Sequence, residues 1–251
     1  MGCYGLYKEK VTVLNIKQSF DLIRKRLISG IPFTYTRYGD GELFLINGWK
    51  GKDKNHFNSP SLQKELIEGF SINDNNYLIG VSAGFEKEPG MVDDIFASFS
   101  HAKDLTPIIN KYHKDKVFLN YVTLHYMAIY YPVELYNLFN TLKSRKVVLI
   151  GGKHLNNDHL RKIYGNFKFI ETPPKQAYYN IDSFYKNIVK ESKESVLILS
   201  VGICSKVIQK RLWFDNKVTT IDIGSLNDWF LGLNSRNWIP WAKNNYNNLL
   251  L

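Results

Sequence analysis

Cysteine is nearly absent from this chain: Cys3 and Cys204 are the only two among 251 residues. They lie too far apart to make a zinc ligand set, and two thiols so placed imply a reduced protein rather than a disulfide framework. No apolar run approaches the length of a membrane span, and no signal peptide is visible. The expectation is therefore a cytoplasmic protein, held at most peripherally at a membrane surface. The opening Met1-Gly2-Cys3 resembles the start of a dually acylated protein, but Leu6 stands where myristoylation prefers Ser or Thr. Linkers and internal repeats are missing, and the one biased tract is asparagine-rich, at 244–248. The sequence thus reads as a single domain over residues 1–251, its core at 15–230 between short extensions. Acid is scarce too: 23 Asp and Glu face 33 Lys and Arg. The resulting net charge of +10 and pI near 9.3 suit an anionic partner: a nucleotide, a nucleic acid or a membrane surface. The basic residues are spread along the chain, densest at 8–10, 24–26, 143–146 and 206–211.

What is abundant is alternation. Ile16, Phe20, Ile23 and Leu27 recur at helical spacing, and Ser29-Gly30 ends the pattern. Strands are predicted at 31–38, 77–82, 117–122, 146–152, 167–172, 195–202 and 218–224, the last closing the sheet. Helices are predicted at 61–70, at 92–110 with a break near Pro107, at 123–140 with an interruption at Pro132, at 178–193, and from the turn at Gly202 to near Trp213. Residues 53–60 and 86–90 read as loops. This order predicts an α/β, Rossmann-like fold: a mostly parallel, doubly wound sheet with helices on both faces. Ligands in such sheets bind outside the carboxyl ends of the strands. The turns after Tyr38, Ser82, Ile150, Val201 and Ile223 should therefore share one crevice.

The first of these turns carries the densest chemistry. In Arg37-Tyr38-Gly39-Asp40-Gly41-Glu42, two glycines let the backbone approach a ligand, and two carboxylates two apart can reach one hard cation. Arg37 offers a fork for phosphate. Helix capping explains the same acids without a metal: Asp40 is a good N-cap, Glu42 suits a first turn, and Asn47-Gly48 ends the helix. Both readings stand on spacing alone.

The turn from Ser200 to Lys206 follows the clearest strand and opens a helix, where Gly202, free amides and the Lys206 charge suit a phosphate. An ordinary βα turn needs one glycine too. Neither GxGxxG nor a Walker-type GxxxxGK[ST] is present, so a dinucleotide or P-loop site is unsupported. Cys204 reads as packed. Gly151-Gly152-Lys153-His154, with Asn157-Asp158-His159 behind it, is a second polar loop, either solvent-exposed or metal-binding. Asp222, at a strand end, suits a base, a ribose-hydroxyl acceptor or a cap. Tyr121, Tyr126, Tyr178 and Tyr179 lie near rim positions where they could stack on a base or sugar.

Together these stretches resemble the GT-D class of bacterial glycosyltransferases. Arg37 to Glu42 match that family's Arg-aromatic-Gly-Asp-Gly-Glu motif at every position. Downstream, Asn157-Asp158 is similar to its Asn-Asp loop, and Pro173-Pro174-Lys175-Gln176-Ala177-Tyr178 to its Pro-x-x-Asn-Ala-aromatic stretch, with Gln176 for Asn. Leu199-Ser-Val-Gly202 resembles its glycine turn, and Asp222-Ile-Gly224 with Asp228-Trp229 its Asp-Ile-Gly-His region. Ser225 replaces the His, and the acidic tract after it is thinner.

The resemblance implies a metal-dependent glycosyltransferase, in the expected case a hexosyltransferase using a UDP-sugar, that acts on a hydroxyl of a glycan, glycoprotein or glycolipid. Asp40 and Glu42 would hold Mn²⁺ or Mg²⁺ at the diphosphate, with Asp222 as a general base. Arg37, Gly39, Gly41, Gly152, Lys153, Asn157, Asp158, Gln176, Gly202 and Lys206 would bind the donor. No nucleic-acid partner is expected. Two other classes fit parts of the sequence: a methyltransferase with its adenosyl cofactor at the Val-Gly turn, and a non-catalytic basic module for RNA or a membrane.

Overall fold

A computed structural model describes residues 12–48, 59–82, 102–113 and 115–246. Its strands are β1 (Thr12–Val13), β2 (Thr34–Tyr38), β3 (Tyr77–Val81), β4 (Val117–Asn120), β5 (Lys146–Gly151), β6 (Phe167–Glu171), β7 (Ser195–Ser200) and β8 (Thr219–Asp222). The helices are α1 (Ile16–Ser29), α2 (Asp40–Ile46), α3 (Pro60–Phe70), α4 (Ala102–Tyr112), α5 (Thr123–Tyr130), α6 (Pro132–Asn140), α7 (Asp158–Tyr164), α8 (Ile181–Ser192), α9 (Cys204–Asn216), α10 (Leu226–Phe230) and α11 (Ile239–Tyr246).

The strands form one sheet in the order β1-β4-β3-β2-β8-β7-β5-β6, and every pair is parallel. Side chains alternate across it, as the two-residue strand period requires. Val147 and Leu149 of β5 join one apolar core with Ile23, Leu138 and Phe230, whereas Val148 and Ile150 join the other with Leu66, Ile188 and Leu212. Burial on both faces is why these strands read as continuous apolar runs. From β2 the chain fills one flank through β3 and β4, and later elements fill the other. The β2–β8 junction is thus the topological switch point, outside whose carboxyl ends ligands of such sheets bind.

Local chemistry sets the element ends. Asn15 accepts from the Gln18 amide while Gln18 reaches back to the Asn15 amide, and Gly30 closes α1 in the left-handed region at φ 70°. Ser59 caps α3 ahead of Pro60. The break expected at Pro132 separates α5 from α6. By contrast α4 runs on through Pro107. The helix expected over 178–193 starts as a 3-10 turn, Ala177–Asn180, before α8 begins at Ile181. The last strand in sequence, expected to close the sheet, lies inside it as β8, between β2 and β7. Short elements escaped the periodicity: β1 has two residues, α7 seven and α10 five. Expectations for Gly2 and Cys3, for 53–58 and for 83–101 fall outside the described residues.

The basic run at 206–211 is structural. Lys210 Nζ lies 2.5 Å from Glu65 and 2.7 Å from Glu68, and Arg211 bridges Glu65 at 2.6 Å and Asp182 at 3.1 Å, tying α9 to α3 and α8. Among the described residues no helix is long and apolar enough to cross a membrane.

Candidate active site

β2 carries Arg37 and Tyr38 to the switch point, and the chain turns there at Gly39. A side chain at this turn would press on the Tyr121 ring, because a Cβ on Gly39 would sit 3.0 Å from Tyr121 Cζ. Gly39, not Asp40, is the N-cap of α2; Asp40 is the first helical residue. Glu42, at the third position, folds back so that its Oε2 accepts from the Gly39 amide at 3.0 Å. Asp40 is half-buried, and its Oδ1 accepts from the Gly41 amide at 2.9 Å. The capping reading of these acids therefore holds in part, through Glu42.

The turn after β7 brings Lys206 to the same point. Its side chain is 4% exposed, and Nζ lies 3.0 Å from Glu42 Oε1 and 2.8 Å from Asp222 Oδ2. Asp222 Oδ1 accepts from the Gly224 amide at 3.1 Å. One ammonium thus joins the turns after β2, β7 and β8. Burial works against the charge of Lys206, but attraction to Asp222 and then Glu42 outweighs it and raises its pKa above the ordinary lysine range. Cys204, two residues before, is fully buried, and burial pushes its thiol up to about 12. It is packed, as expected, and unreactive.

Arg37 is 5% exposed and lies beside this clasp. Nη1 donates to His125 Nε2 at 3.1 Å, and the guanidinium lies 4.6 Å from the Tyr121 ring centre. Its Nε has no hydrogen-bond partner, and among the described residues no carboxylate forms an ion pair with it. Gly224, at φ 54°, shapes the opposite wall: a Cβ there would come within 2.9 Å of Nη1. His125 was not anticipated. Its only sequence signal is a lone imidazole in α5, whose other residues through Ile129 are buried as well. Its ring packs against Trp238, centroids 4.6 Å apart and planes tilted by 40°.

Burial, and secondarily the Arg37 charge, hold the His125 pKa well below 6.5. The folded protein therefore excludes a proton that the unfolded chain binds. Stability is full above the unfolded histidine pKa and is lost as pH falls below about 6.5, at up to about 1.4 kcal/mol per pH unit from this residue. His113 shifts in the same direction, chiefly by burial. Urea titrations at about pH 7.5 and about pH 5.5 should show the loss, and His125→Gln should make it smaller.

The second polar loop lies further along the rim. His154 Nε2 pairs with Asp228 at 3.0 Å, which links the turn after β5 to α10. Asn157 caps α7 by accepting from the His159 amide, and exposed Asp158 faces Arg161 at 3.4 Å. Gly152 and Lys153 begin the short 3-10 turn between them. Gln176 adopts the left-handed region at φ 54° where the Pro-Pro stretch turns into the 3-10 turn that packs on α9. Among the described residues no three His, Cys, Asp or Glu side chains are grouped to hold a metal, so the histidine-metal alternative for this loop has no support. The structure therefore brings together Arg37, Gly39, Glu42, Gly202, Lys206 and Asp222, with Asp40 and Gly41 adjoining.

A family model described as the glycosyltransferase GT-D fold matches residues 35–240. The chain belongs to the GT-D glycosyltransferase family. The methyltransferase and non-catalytic alternatives are thereby set aside. Two solved structures share the GT-D architecture at 18% identity. One, a glycosyltransferase (DUF1792) from Streptococcus sanguinis, has a TM-score of 0.73 over 89% of this chain and 86% of its own. The other, described as the highly conserved domain of unknown function 1792 with a distinct glycosyltransferase fold, has 0.72 over 89% and 83%. No curated protein matches. In this GT-D protein the matched segment takes in the switch-point cluster, the polar loop and the Asp222 turn.

The donor set suits a hard cation in part. Asp40 keeps Oδ2 without a protein partner among the described residues, whereas both oxygens of Glu42 are engaged. Magnesium-type sites commonly use one or two carboxylates and complete their shell with water and phosphate oxygens. Of the two, Asp40 is the carboxylate that could take such an ion.

Proposed function

We propose that this glycosyltransferase moves a hexose from a nucleoside diphosphate donor, in the expected case a UDP-sugar, to a hydroxyl of a glycan or glycoconjugate. The observation that carries the reading is Arg37: a buried guanidinium at the switch point with no carboxylate within ion-pair distance among the described residues, its burial opposed only at longer range by Asp222. A buried cation of this kind is costly unless an anion meets it, and a diphosphate is the anion a sugar donor supplies. As the bond from the anomeric carbon to the diphosphate breaks, charge grows on the phosphate oxygen. Arg37, already desolvated and held by His125 and Tyr121, stabilises that charge without reorganising.

Mn²⁺ or Mg²⁺ held by Asp40 would supply Lewis-acid stabilisation of the same leaving group. Lys206 is engaged by Glu42 and Asp222, which favours a role in fixing the turns over direct phosphate binding. Asp222, buried with both oxygens accepting hydrogen bonds, is better suited to hold Lys206 than to take an acceptor proton. Lys153, Asn157, Asp158 and Gln176 are candidates for sugar and ribose hydroxyls further along the rim.

Hydrolysis of UDP-, GDP-, dTDP- and CMP-sugars, with Mn²⁺ and with chelator, tests this in wild type and Asp40→Ala. Metal-dependent release from one donor is expected, with the variant down by about two orders of magnitude or more. If no donor turns over and calorimetry finds no metal-dependent nucleotide binding, the reading fails.

A further inference from the structure

The rim opposite the switch point, at the amino ends of the strands, has its own character. A half-open cleft of about 980 Å³ runs under the starts of β2, β8, β7 and β5. Arg145, Lys146, Lys190, Lys193 and Lys217 line it, against a single acid, Glu194. Lys217 is occupied by Asp74 at 3.3 Å, and Lys146 Nζ donates to the Lys193 carbonyl. Arg145, Lys190 and Lys193 pair with no carboxylate among the described residues. Large apolar side chains project at this same end. Ile28 is 60% exposed, Ile31 44%, Val117 50% and Phe214 67%. Ile31 lies between the lining residues Gly30 and Pro32, and Phe214 two residues before lining Asn216. Helix dipoles explain a lysine such as Lys190 in the last turn of α8. They do not explain the water-exposed Ile31 and Phe214, which flank residues that line the cleft.

We propose that this rim docks on an anionic phospholipid bilayer, with headgroup phosphates at the basic cleft and Ile28, Ile31 and Phe214 entering the interface. Cations interspersed with exposed apolar groups are what a peripheral membrane contact requires, because each lysine near an anionic surface adds attraction and each inserted side chain adds apolar burial. A nucleic acid would use the charge but not the aliphatic side chains. Because the strands are parallel, the docked orientation turns the Arg37 crevice away from the bilayer.

Vesicle flotation of the full chain tests the proposal. Binding is expected to vesicles containing phosphatidylglycerol, to be lost on phosphatidylcholine alone, and to weaken with salt. Lys190→Gln and Lys193→Gln should each lower partitioning roughly fivefold, and Phe214→Ser roughly tenfold. Donor hydrolysis and thermal unfolding should be unchanged in the two lysine variants. The proposal is overturned by equal binding to neutral vesicles, by lysine variants that float like wild type, or by glycerol phosphate or RNA binding at the cleft with no vesicle binding.

Discussion

Lys206→Met should destabilise the protein by about 3–5 kcal/mol, the cost of removing one partner from a buried ionic cluster. Nζ is the only cation within ion-pair distance of Glu42 and Asp222 among the described residues, and Asp222 is 1% exposed. Methionine matches the length of the stem but leaves buried Asp222 and partly buried Glu42 without their shared cation. The variant must then protonate one of them or open the turns after β2 and β8. Either response moves Asp40 and Arg37, so donor hydrolysis should fall as well. Lys206→Arg keeps the charge and should recover more than half of the lost stability, with poorer geometry for a point-like site. A further readout separates charge from packing: Mn²⁺ should raise the melting temperature of Lys206→Met more than that of wild type, because Glu42 and Asp222 become free to receive a cation. A variant as stable as wild type in urea would show that the clasp is not what holds the rim.

That clasp shows where sequence reading succeeds and where it stops. β3, β5 and β7 were legible because a strand buried on both faces has a largely apolar run, β2 because it is rich in β-branched and aromatic residues, and the helices because a one-sided burial has a 3.6-residue period. The turns were legible as a group, since parallel strands put their carboxyl ends on one rim. Which turns touch was not. Lys206 and Asp222 are 16 residues apart, and Lys206 and Glu42 far more distant still. Nothing local says that a lysine placed to meet phosphate will instead be claimed by two acids. His125 was hidden for a similar reason, because its importance comes from a strand 88 residues earlier. Strand order also lies beyond periodicity, so the last strand was legible as a strand but not as an interior one.

Arg37→Met should give the opposite pairing of effects: a large loss of function with little loss of stability. The guanidinium is buried with no carboxylate within ion-pair distance among the described residues, so replacing it with an apolar side chain of similar length removes a desolvated charge. Against that, the longer-range attraction of Asp222 for the cation is lost, and His125 Nε2 loses its donor at about 1–3 kcal/mol. These contributions oppose each other, and the net change in urea stability should lie within about 2 kcal/mol, well below that of Lys206→Met. Donor hydrolysis should fall about 100- to 1,000-fold in kcat/KM, the usual cost of removing a preorganised charge from a transition state. Calorimetry with the free nucleoside diphosphate should show weaker binding by about tenfold or more, since part of that interaction exists before the bond breaks. Arg37→Lys should not restore activity, because an ammonium cannot donate to His125 and to two phosphate oxygens in the plane of a guanidinium. If Arg37→Met instead unfolds as readily as Lys206→Met and its residual folded fraction binds nucleotide normally, Arg37 is part of the scaffold and the diphosphate belongs elsewhere on the rim.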